Sequence, residues 1–185
     1  GLILLMVVIV FDHLDIKDSA YVFTALLYIA LPVSLSPFVV MQDGVFDATL
    51  MLAFFILIWA SDTGAYCFGM LLGQKLWPAK LCPAISPNKS WAGAVGGLAA
   101  TLLAAFILKR VGWLPFPLVH VLTVAAIMHV LGIFGDLFES LWKRQFGVKD
   151  SGNIMPGHGG LLDRFDSSLF AMPAGFVYLI LNGLI

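Results

Sequence analysis

Charged side chains that could do chemistry are concentrated in one stretch of the chain, residues 135–168, which holds five of the 11 acidic residues and four of the 10 basic ones. Asp136 and Glu139 are three positions apart, which places both on one face of a helix. Asp163 and Asp166 repeat that spacing further along. Two such pairs could meet in an all-oxygen site that suits Mg²⁺. Carboxylates and a metal among basic residues are typical of phosphoryl or nucleotidyl transfer.

The same stretch offers cations and a glycine turn that could bind phosphate groups. Arginine binds phosphate through two parallel hydrogen bonds, and lysine acts as a point charge. The turn GHGG at residues 157–160 lets backbone N–H groups approach an anion closely. Its His158 fits a structural hydrogen bond or a phosphate contact better than a metal site. A merely solvated loop is the alternative interpretation of the whole stretch. The candidate phosphate ligands are Lys143, Arg144, Lys149 and Arg164.

A second polar island consists of SDTGAY, residues 61–66, and SPNKSWAG, residues 86–93. Asp62 lies in or beside an apolar helix, where an ionisable side chain indicates a functional site or, alternatively, an interhelical hydrogen bond. Ser90 is one of several residues that could cap the helix that follows. Lys89 beside that helix N-terminus would complete a phosphate site, or else mark the membrane interface.

The overall composition indicates a membrane protein. Hydrophobic residues make up 61% of the chain and charged residues 11%, against about 45–50% and about 25% in soluble domains. The net charge of -1 gives no basic footprint for nucleic acid. We predict an all-α fold, a polytopic transmembrane helical bundle of about six segments, because a spanning helix needs roughly 20 apolar residues. The segments are residues 2–11, 21–41, 48–60, 91–108, 117–135 and 168–185.

The segments divide the chain into two parts. Residues 1–60 are predicted to be N-terminal transmembrane helices, and we expect further spans upstream because the first segment is too short to cross a bilayer. Residues 61–185 are predicted to be a catalytic membrane core with polar loops at 61–90 and 135–168. These loops carry seven of the 10 basic residues, so the positive-inside rule places them in the cytoplasm. The small residues Gly93, Gly96 and Gly97 would admit another helix closely and permit a homodimer.

A long pattern of polar residues runs from Ser140 to Asp166 and reads S-x-x-K-R-x4-K-D-x-G-x4-G-H-G-G-x-x-D-R-x-D. It closely resembles the signature of the phosphatidate cytidylyltransferase family, and SDTGAY and SPNKSWAG resemble motifs of the same family. The resemblance covers about residues 61–185, and the earlier residues are similar only in being hydrophobic. Ala92 departs from the family pattern, which commonly has Glu or Gln there, so one contact to CTP or lipid is in doubt.

The resemblance implies the reaction CTP + phosphatidate → CDP-diacylglycerol + pyrophosphate, at a bacterial inner membrane with the site facing the cytoplasm. It implies Mg²⁺ bound by Asp136, Asp163 and Asp166, and it leaves a second, monovalent cation open. The residues implied in catalysis are Asp136, Asp163, Asp166, Lys149 and Arg164. The residues implied in substrate binding are Asp62, Lys89, Ser90, Lys143, Arg144, Asp150 and His158.

Two other classes of protein fit parts of the pattern. One is a CTP-dependent membrane enzyme that acts on an isoprenoid or ether lipid, because the polar motifs would serve either acceptor. The other is a channel or transporter in which Asp62 and the acidic pairs line an ion path. The clustering of charge in two loops, with no line of charges at mid-bilayer depth, disfavours the second class.

Overall fold

The computed structural model describes residues 16–42, 45–73, 77–148, 150–152 and 160–185. Within this part of the chain the fold is a bundle of helices with two short antiparallel hairpins, which confirms the predicted all-α class. The helices are α1 (Ile16–Ala25), a π-helical turn (Leu26–Ala30), α2 (Leu31–Val40), α3 (Thr49–Leu71), α4 (Trp91–Val111), α5 (Leu118–Gln145) and α6 (Leu162–Leu181). The strands are β1 (Met41–Gln42), β2 (Val45–Phe46), β3 (Lys80–Cys82) and β4 (Ser86–Ser90).

The first membrane crossing is one continuous helical rod made of α1, the π-helical turn and α2. Pro32 and Pro37 lie within this segment, and proline cannot donate a backbone hydrogen bond inside a helix. The structure widens the helix just before Pro32, where the N–H of Leu31 donates to the carbonyl of Leu26, five residues back. A single π turn of this kind often marks a functional position.

Among the described residues, four helical segments are long and apolar enough to cross a membrane: Ala20–Val40, α3, α4 and α5. The charged side chains in the first two turns of α6 lower its hydropathy, although its apolar remainder packs in the bundle. The predicted segment at residues 2–11 lies outside the described residues. The strongly apolar run at residues 48–60 is the first part of the third segment, because α3 continues beyond residue 60 to Leu71 and carries SDTGAY inside the helix.

The two predicted polar loops are shorter than expected but lie at the same end of the bundle. Residues 80–90 form the β3–β4 hairpin, whereas residues 61–71 belong to α3. Residues 135–145 extend α5, and residues 162–168 begin α6. The acidic spacing therefore does lie on helices, as the i, i+3 argument required.

Small residues bring α3 and α4 into close contact within the chain. A Cβ atom added to Gly64 would lie 2.5 Å from Cβ of Ala100, and one added to Gly97 would lie 2.9 Å from the carbonyl oxygen of Ser61. Gly96 lies directly against the side chain of Phe68. Gly96 and Gly97 therefore pack against α3 of the same chain, which is the close helix approach that their small size permits. The homodimer stays a prediction.

The hydrophobic core fills the half of the bundle away from the polar hairpin and loop. It is built from the first half of α3, the end of α4, the first half of α5 and the end of α6. Phe54, Leu57 and Leu179 are fully enclosed there. The apolar half fixes the relative positions of the four helices. At the other end a polar cavity opens between α3, the hairpin and α5.

Candidate functional site

A cavity of about 550 Å³ opens between α3, α5 and the hairpin at the polar end of the bundle. Its walls carry Asp62 from α3, Lys89 and Ser90 from β4, Asp136 from α5 and Ser167 from α6. These residues come from both polar islands of the sequence. The structure therefore brings the two islands together, although more than 40 residues separate Lys89 from Asp136 along the chain.

Ser90 begins the wall at the N-terminus of α4. Its backbone is extended, and its Oγ accepts a hydrogen bond from the N–H of Gly93 at 3.1 Å. This is the predicted N-cap, and it orients the positive end of the α4 dipole toward the cavity. The adjoining Ala92 is only 3% exposed, so the family's usual Glu or Gln side chain would be enclosed at this position.

Lys89 and Asp136 form the ion pair that closes one side of the cavity. Lys89 Nζ lies 2.5 Å from Asp136 Oδ2, and it also donates to the carbonyl of Ile133 at 3.4 Å. The other carboxylate oxygen, Oδ1, accepts a hydrogen bond from Ser140 Oγ at 3.4 Å. The pair ties the hairpin to α5 and places a lysine where it faces both a carboxylate and the open cavity.

Asp163, at the start of α6, accepts hydrogen bonds from two separate residues of the loop that precedes this helix. Its Oδ2 accepts hydrogen bonds from the N–H of Ser151 (2.8 Å), Ser151 Oγ (2.7 Å) and the N–H of Gly160 (2.7 Å). Lys143 Nζ donates to its Oδ1 at 2.6 Å. Partial burial raises the pKa of the Asp163 carboxyl, but the hydrogen bonds from Lys143, Ser151 and Gly160 outweigh that effect and hold the pKa well below its usual range. Asp163 is therefore ionised at neutral pH.

Glu139 is the most enclosed acid of the cluster, with 1% of its side chain exposed. Its Oε2 accepts a hydrogen bond from Lys143 at 3.2 Å, and it lies close to the carboxyl groups of Asp163 and Asp166. Within the described part of the chain, Oε1 has no hydrogen-bond partner. The sequence predicted Glu139 as a member of one of the two acidic pairs, but gave it no individual role in catalysis, substrate binding or metal binding. Its i, i+4 spacing from Lys143 is the signal that could have identified it.

Asp166 completes the cluster from the second turn of α6. Its Oδ1 accepts a hydrogen bond from the N–H of Ser167 at 2.6 Å, and its charge interacts with those of Asp136 and Asp62. The predicted meeting of the two acidic pairs is thus observed. In the residues that the structure describes, however, no three His, Cys, Asp or Glu side chains are arranged to hold a metal ion.

Among the described residues, four of the predicted site residues line the cavity, namely Asp62, Lys89, Ser90 and Asp136, whereas Lys143, Asp163 and Asp166 do not. Arg144, Asp150 and Arg164 are exposed at the ends of α5, the loop and α6, and they are not among the described residues that line the cavity. Lys149 and His158 lie outside the described residues. Their proposed roles stay predictions.

A buried polar pair to which the sequence gave no role adjoins the cavity, and one of its members, Ser61, contributes to the cavity wall. Ser61 Oγ and His129 Nδ1 are hydrogen-bonded at 2.7 Å, and both side chains are buried. The pair joins α3 to α5 beside Asp62. No sequence signal connected these two residues, because they lie 68 positions apart on separate apolar helices.

The fold and the site define an integral membrane protein with a cavity lined by carboxylates and lysines at one end of a helical bundle. The chain belongs to the cytidylyltransferase family, whose model matches residues 1–182. It is 49% identical over 126 residues to the phosphatidate cytidylyltransferase of Bacillus subtilis, covering 68% of this chain and 45% of that protein. It is 47% identical over 127 residues to the enzyme of that name from Staphylococcus saprophyticus, covering 68% of this chain and 47% of that protein.

The family resemblance found in the sequence is confirmed by these matches. The chain spans about half the length of the curated relatives that it matches.

Proposed function

We propose that the full-length protein transfers CMP from CTP to phosphatidate and so produces CDP-diacylglycerol and pyrophosphate. The observation that carries this proposal is the single cavity in which Lys89 from one polar island pairs with Asp136 from the other. Such a cavity at one end of a membrane bundle suits a reaction between a water-soluble nucleotide and a lipid headgroup. The names of the matched relatives support the same reaction.

The chemistry requires positioning more than it requires a strong base. The phosphate monoester of phosphatidate has a second pKa of about 6, so at neutral pH it is largely a dianion with a nucleophilic oxygen. That oxygen forms a bond to the α-phosphorus of CTP while the bond to the pyrophosphate oxygen breaks. The protein must hold two polyanions in line and offset their repulsion. Lys89 and the N-terminus of α4 face the cavity where phosphate oxygens would lie.

Mg²⁺ fits the chemistry of the donor set, because the carboxylates supply hard oxygen ligands. Asp136, Asp163 and Asp166 would hold it, although in the described part of the chain no three acidic side chains are grouped closely enough to do so as they stand. Among the same residues the buried Glu139 Oε1 has no partner and marks spare acceptor capacity beside them. When bound, the ion would neutralise charge that develops on the transferring phosphoryl group. Lys89 and Lys143 now neutralise Asp136 and Asp163, so a metal would compete with these lysines for carboxylate oxygens.

The charge distribution supports a site that faces the cytoplasm. The polar end of the bundle carries most of the described basic residues, namely Lys80, Lys89, Lys143, Arg144 and Arg164, whereas Lys109 and Arg110 lie at the opposite end. Under the positive-inside rule the cavity faces the cytoplasm, which is where CTP is found. The matched relatives are bacterial, in keeping with a bacterial inner membrane. A homodimer and a second, monovalent cation stay predictions.

The test is transfer of label from α-³²P-CTP into lipid by the purified full-length protein, with phosphatidate, Mg²⁺ and an EDTA control. Label that appears in CDP-diacylglycerol and is lost with EDTA is the expected result. Label that appears only with an isoprenoid or ether lipid would move the acceptor to that class. Absence of label with every acceptor, from protein that is folded, would contradict the proposal.

An ion path is disfavoured because the carboxylates end at the apolar core of the bundle.

A further inference from the structure

Tyr28 occupies an unusual position for a residue of the first membrane crossing. It lies in the π-helical turn and is the buried residue of that turn, with 4% of its surface exposed. Most of the surrounding rod is open, and Leu27 beside it is 66% exposed. The widened turn therefore directs one side chain of an otherwise peripheral helix into the bundle.

The hydroxyl group of Tyr28 reaches the crossing of α5 and α6. It lies 3.5 Å from the carbonyl oxygen of Gly135 and 3.5 Å from the carbonyl oxygen of Asp166. Both distances exceed the usual O–H···O length of about 2.8 Å, so the single proton is shared weakly between two acceptors. One donor thereby contacts the backbone of both helices that carry the acidic pairs.

The two helices are already in close contact at that point. A Cβ atom on Gly135 would lie 2.5 Å from the carbonyl oxygen of Asp166, so only glycine permits this approach. Asp136 follows Gly135 directly. The separation of α5 and α6 at this contact therefore bears on the separation of the Asp136 and Asp166 carboxyl groups, and the Tyr28 hydroxyl is a donor that contacts a backbone carbonyl of each helix there.

The ring of Tyr28 is fixed by aromatic neighbours from both helices. Its centroid lies 4.8 Å from that of Phe138, 5.8 Å from that of Trp142 and 5.5 Å from that of Phe170. These contacts hold the hydroxyl in place without help from the membrane-facing side. Removing only the hydroxyl leaves this packing intact, so the role of the donor can be separated from that of the ring.

We propose that Tyr28 is a positioning residue whose hydroxyl sets the spacing of the α5 and α6 carboxylates for a divalent cation. The inference rests on the proposed function for the role of the ion, but it concerns a residue in the part of the chain that the family motifs do not reach. Tyr28 acts through the backbone contact of Gly135 and Asp166. It does not touch the reacting atoms.

The test compares Tyr28→Phe with Tyr21→Phe in the full-length protein. The measurement is the affinity for Mn²⁺ in the absence of nucleotide, monitored by electron paramagnetic resonance. Tyr21 is a matched control because it lies two turns earlier on the same rod and packs its ring against Phe146 at 4.9 Å. We expect Tyr28→Phe to weaken Mn²⁺ binding about three- to ten-fold, the effect of losing one neutral hydrogen bond. Tyr21→Phe should bind Mn²⁺ as the wild type does, and both variants should melt close to the wild type.

Wild-type Mn²⁺ affinity in Tyr28→Phe would overturn the inference. So would equal losses in both tyrosine variants, or a loss that appears only with a lower melting temperature, because either result indicates general destabilisation. Wild-type protein that binds Mn²⁺ no better than Asp166→Asn would also overturn it.

Transfer of label to phosphatidate is measured separately on the same preparations. If the wild type transfers label but Tyr28→Phe binds Mn²⁺ as the wild type does, the proposed function stands and this inference fails. If Tyr28→Phe weakens Mn²⁺ binding but the wild type transfers no label, this inference stands and the proposed function fails.

Discussion

The two ends of the helical bundle both carry charged and polar side chains, but these side chains have different kinds of neighbours at the two ends. At the end away from the cavity, Lys109 Nζ donates to the carbonyl of Phe116, and His120 Nδ1 is hydrogen-bonded to Tyr178 Oη at 2.9 Å. Arg110 lies 5.2 Å above the ring of Phe106. Each of these groups has one local partner, and together they close the turn and helix ends.

At the cavity end, like charges are crowded together. Five carboxylates from α3, α5 and α6 lie within interaction range of one another, with Lys89 and Lys143 among them. Crowding of this kind is unfavourable unless cations or a ligand offset it. The comparison shows that in this protein charge alone does not identify a site, whereas convergence of like charges around a cavity does.

The strongest test of this contrast exchanges one acid at each end for its amide. We expect Asp136→Asn to lower transfer at least about a hundred-fold, because it removes both a charged ligand and the partner of Lys89. Asp47→Asn at the other end removes the carboxylate oxygen that accepts the N–H of Thr49 at 2.8 Å. It should leave transfer per folded molecule unchanged. Equal losses in the two variants would contradict a functional difference between the ends.

A second comparison removes one lysine from each end. Lys89→Met should reduce kcat/KM for CTP by about ten- to a hundred-fold, because a charge-assisted phosphate contact is lost. Lys109→Met should change the melting temperature but not the kinetics, since Lys109 lies far from the cavity and donates to the nearby carbonyl of Phe116. The measurement is initial rate against CTP concentration for each purified variant. A kinetic defect in Lys109→Met would mean that the far end contributes to the reaction.

Asp163→Asn tests the carboxylate that fixes the loop. The amide is uncharged and cannot accept all four hydrogen bonds as strongly, so limited proteolysis within residues 146–161 should become several-fold faster. Because the folded pKa of Asp163 is depressed, the stabilisation by its carboxylate is present above the unfolded pKa of about 3.9 and is lost as pH falls through the folded value. The rate at which a protease cleaves this loop in the wild type should therefore not vary near neutral pH. Unchanged cleavage in Asp163→Asn would rule out the anchoring role.

The smallest effect concerns two glycines one turn apart on α5. Gly135→Ala places a methyl group 2.5 Å from the carbonyl of Asp166, whereas in Gly132→Ala the nearest atom, Ser167 Cβ, is at 3.7 Å. Gly135→Ala should destabilise the protein by about 1–3 kcal/mol, the usual cost of overpacking. Gly132→Ala should be neutral or slightly stabilising, because alanine favours a helix. Melting in detergent distinguishes the two, and equal stability would mean that the helices separate freely.

Local features of this protein could be predicted from the sequence because they depend on neighbours in the chain. The helical spacing of Asp136 and Glu139, the cap at Ser90 and four of the six apolar spans were predicted and observed. The long polar signature also identified the family, because many fixed residue types at fixed spacing rarely arise by chance.

Contacts between helices were decided only by the tertiary structure. Spacing places residues on a face, but it does not say which helix that face will meet. Gly96 therefore packs on α3 of its own chain, and Glu139 is enclosed between helices. Asp163 accepts hydrogen bonds from the loop that precedes α6. The hydroxyl of Tyr28 reaches the helices that carry the acidic pairs from a rod that carries no motif. These outcomes depend on the fit of whole helix surfaces in the apolar half of the bundle, and that fit is a property of all the side chains together.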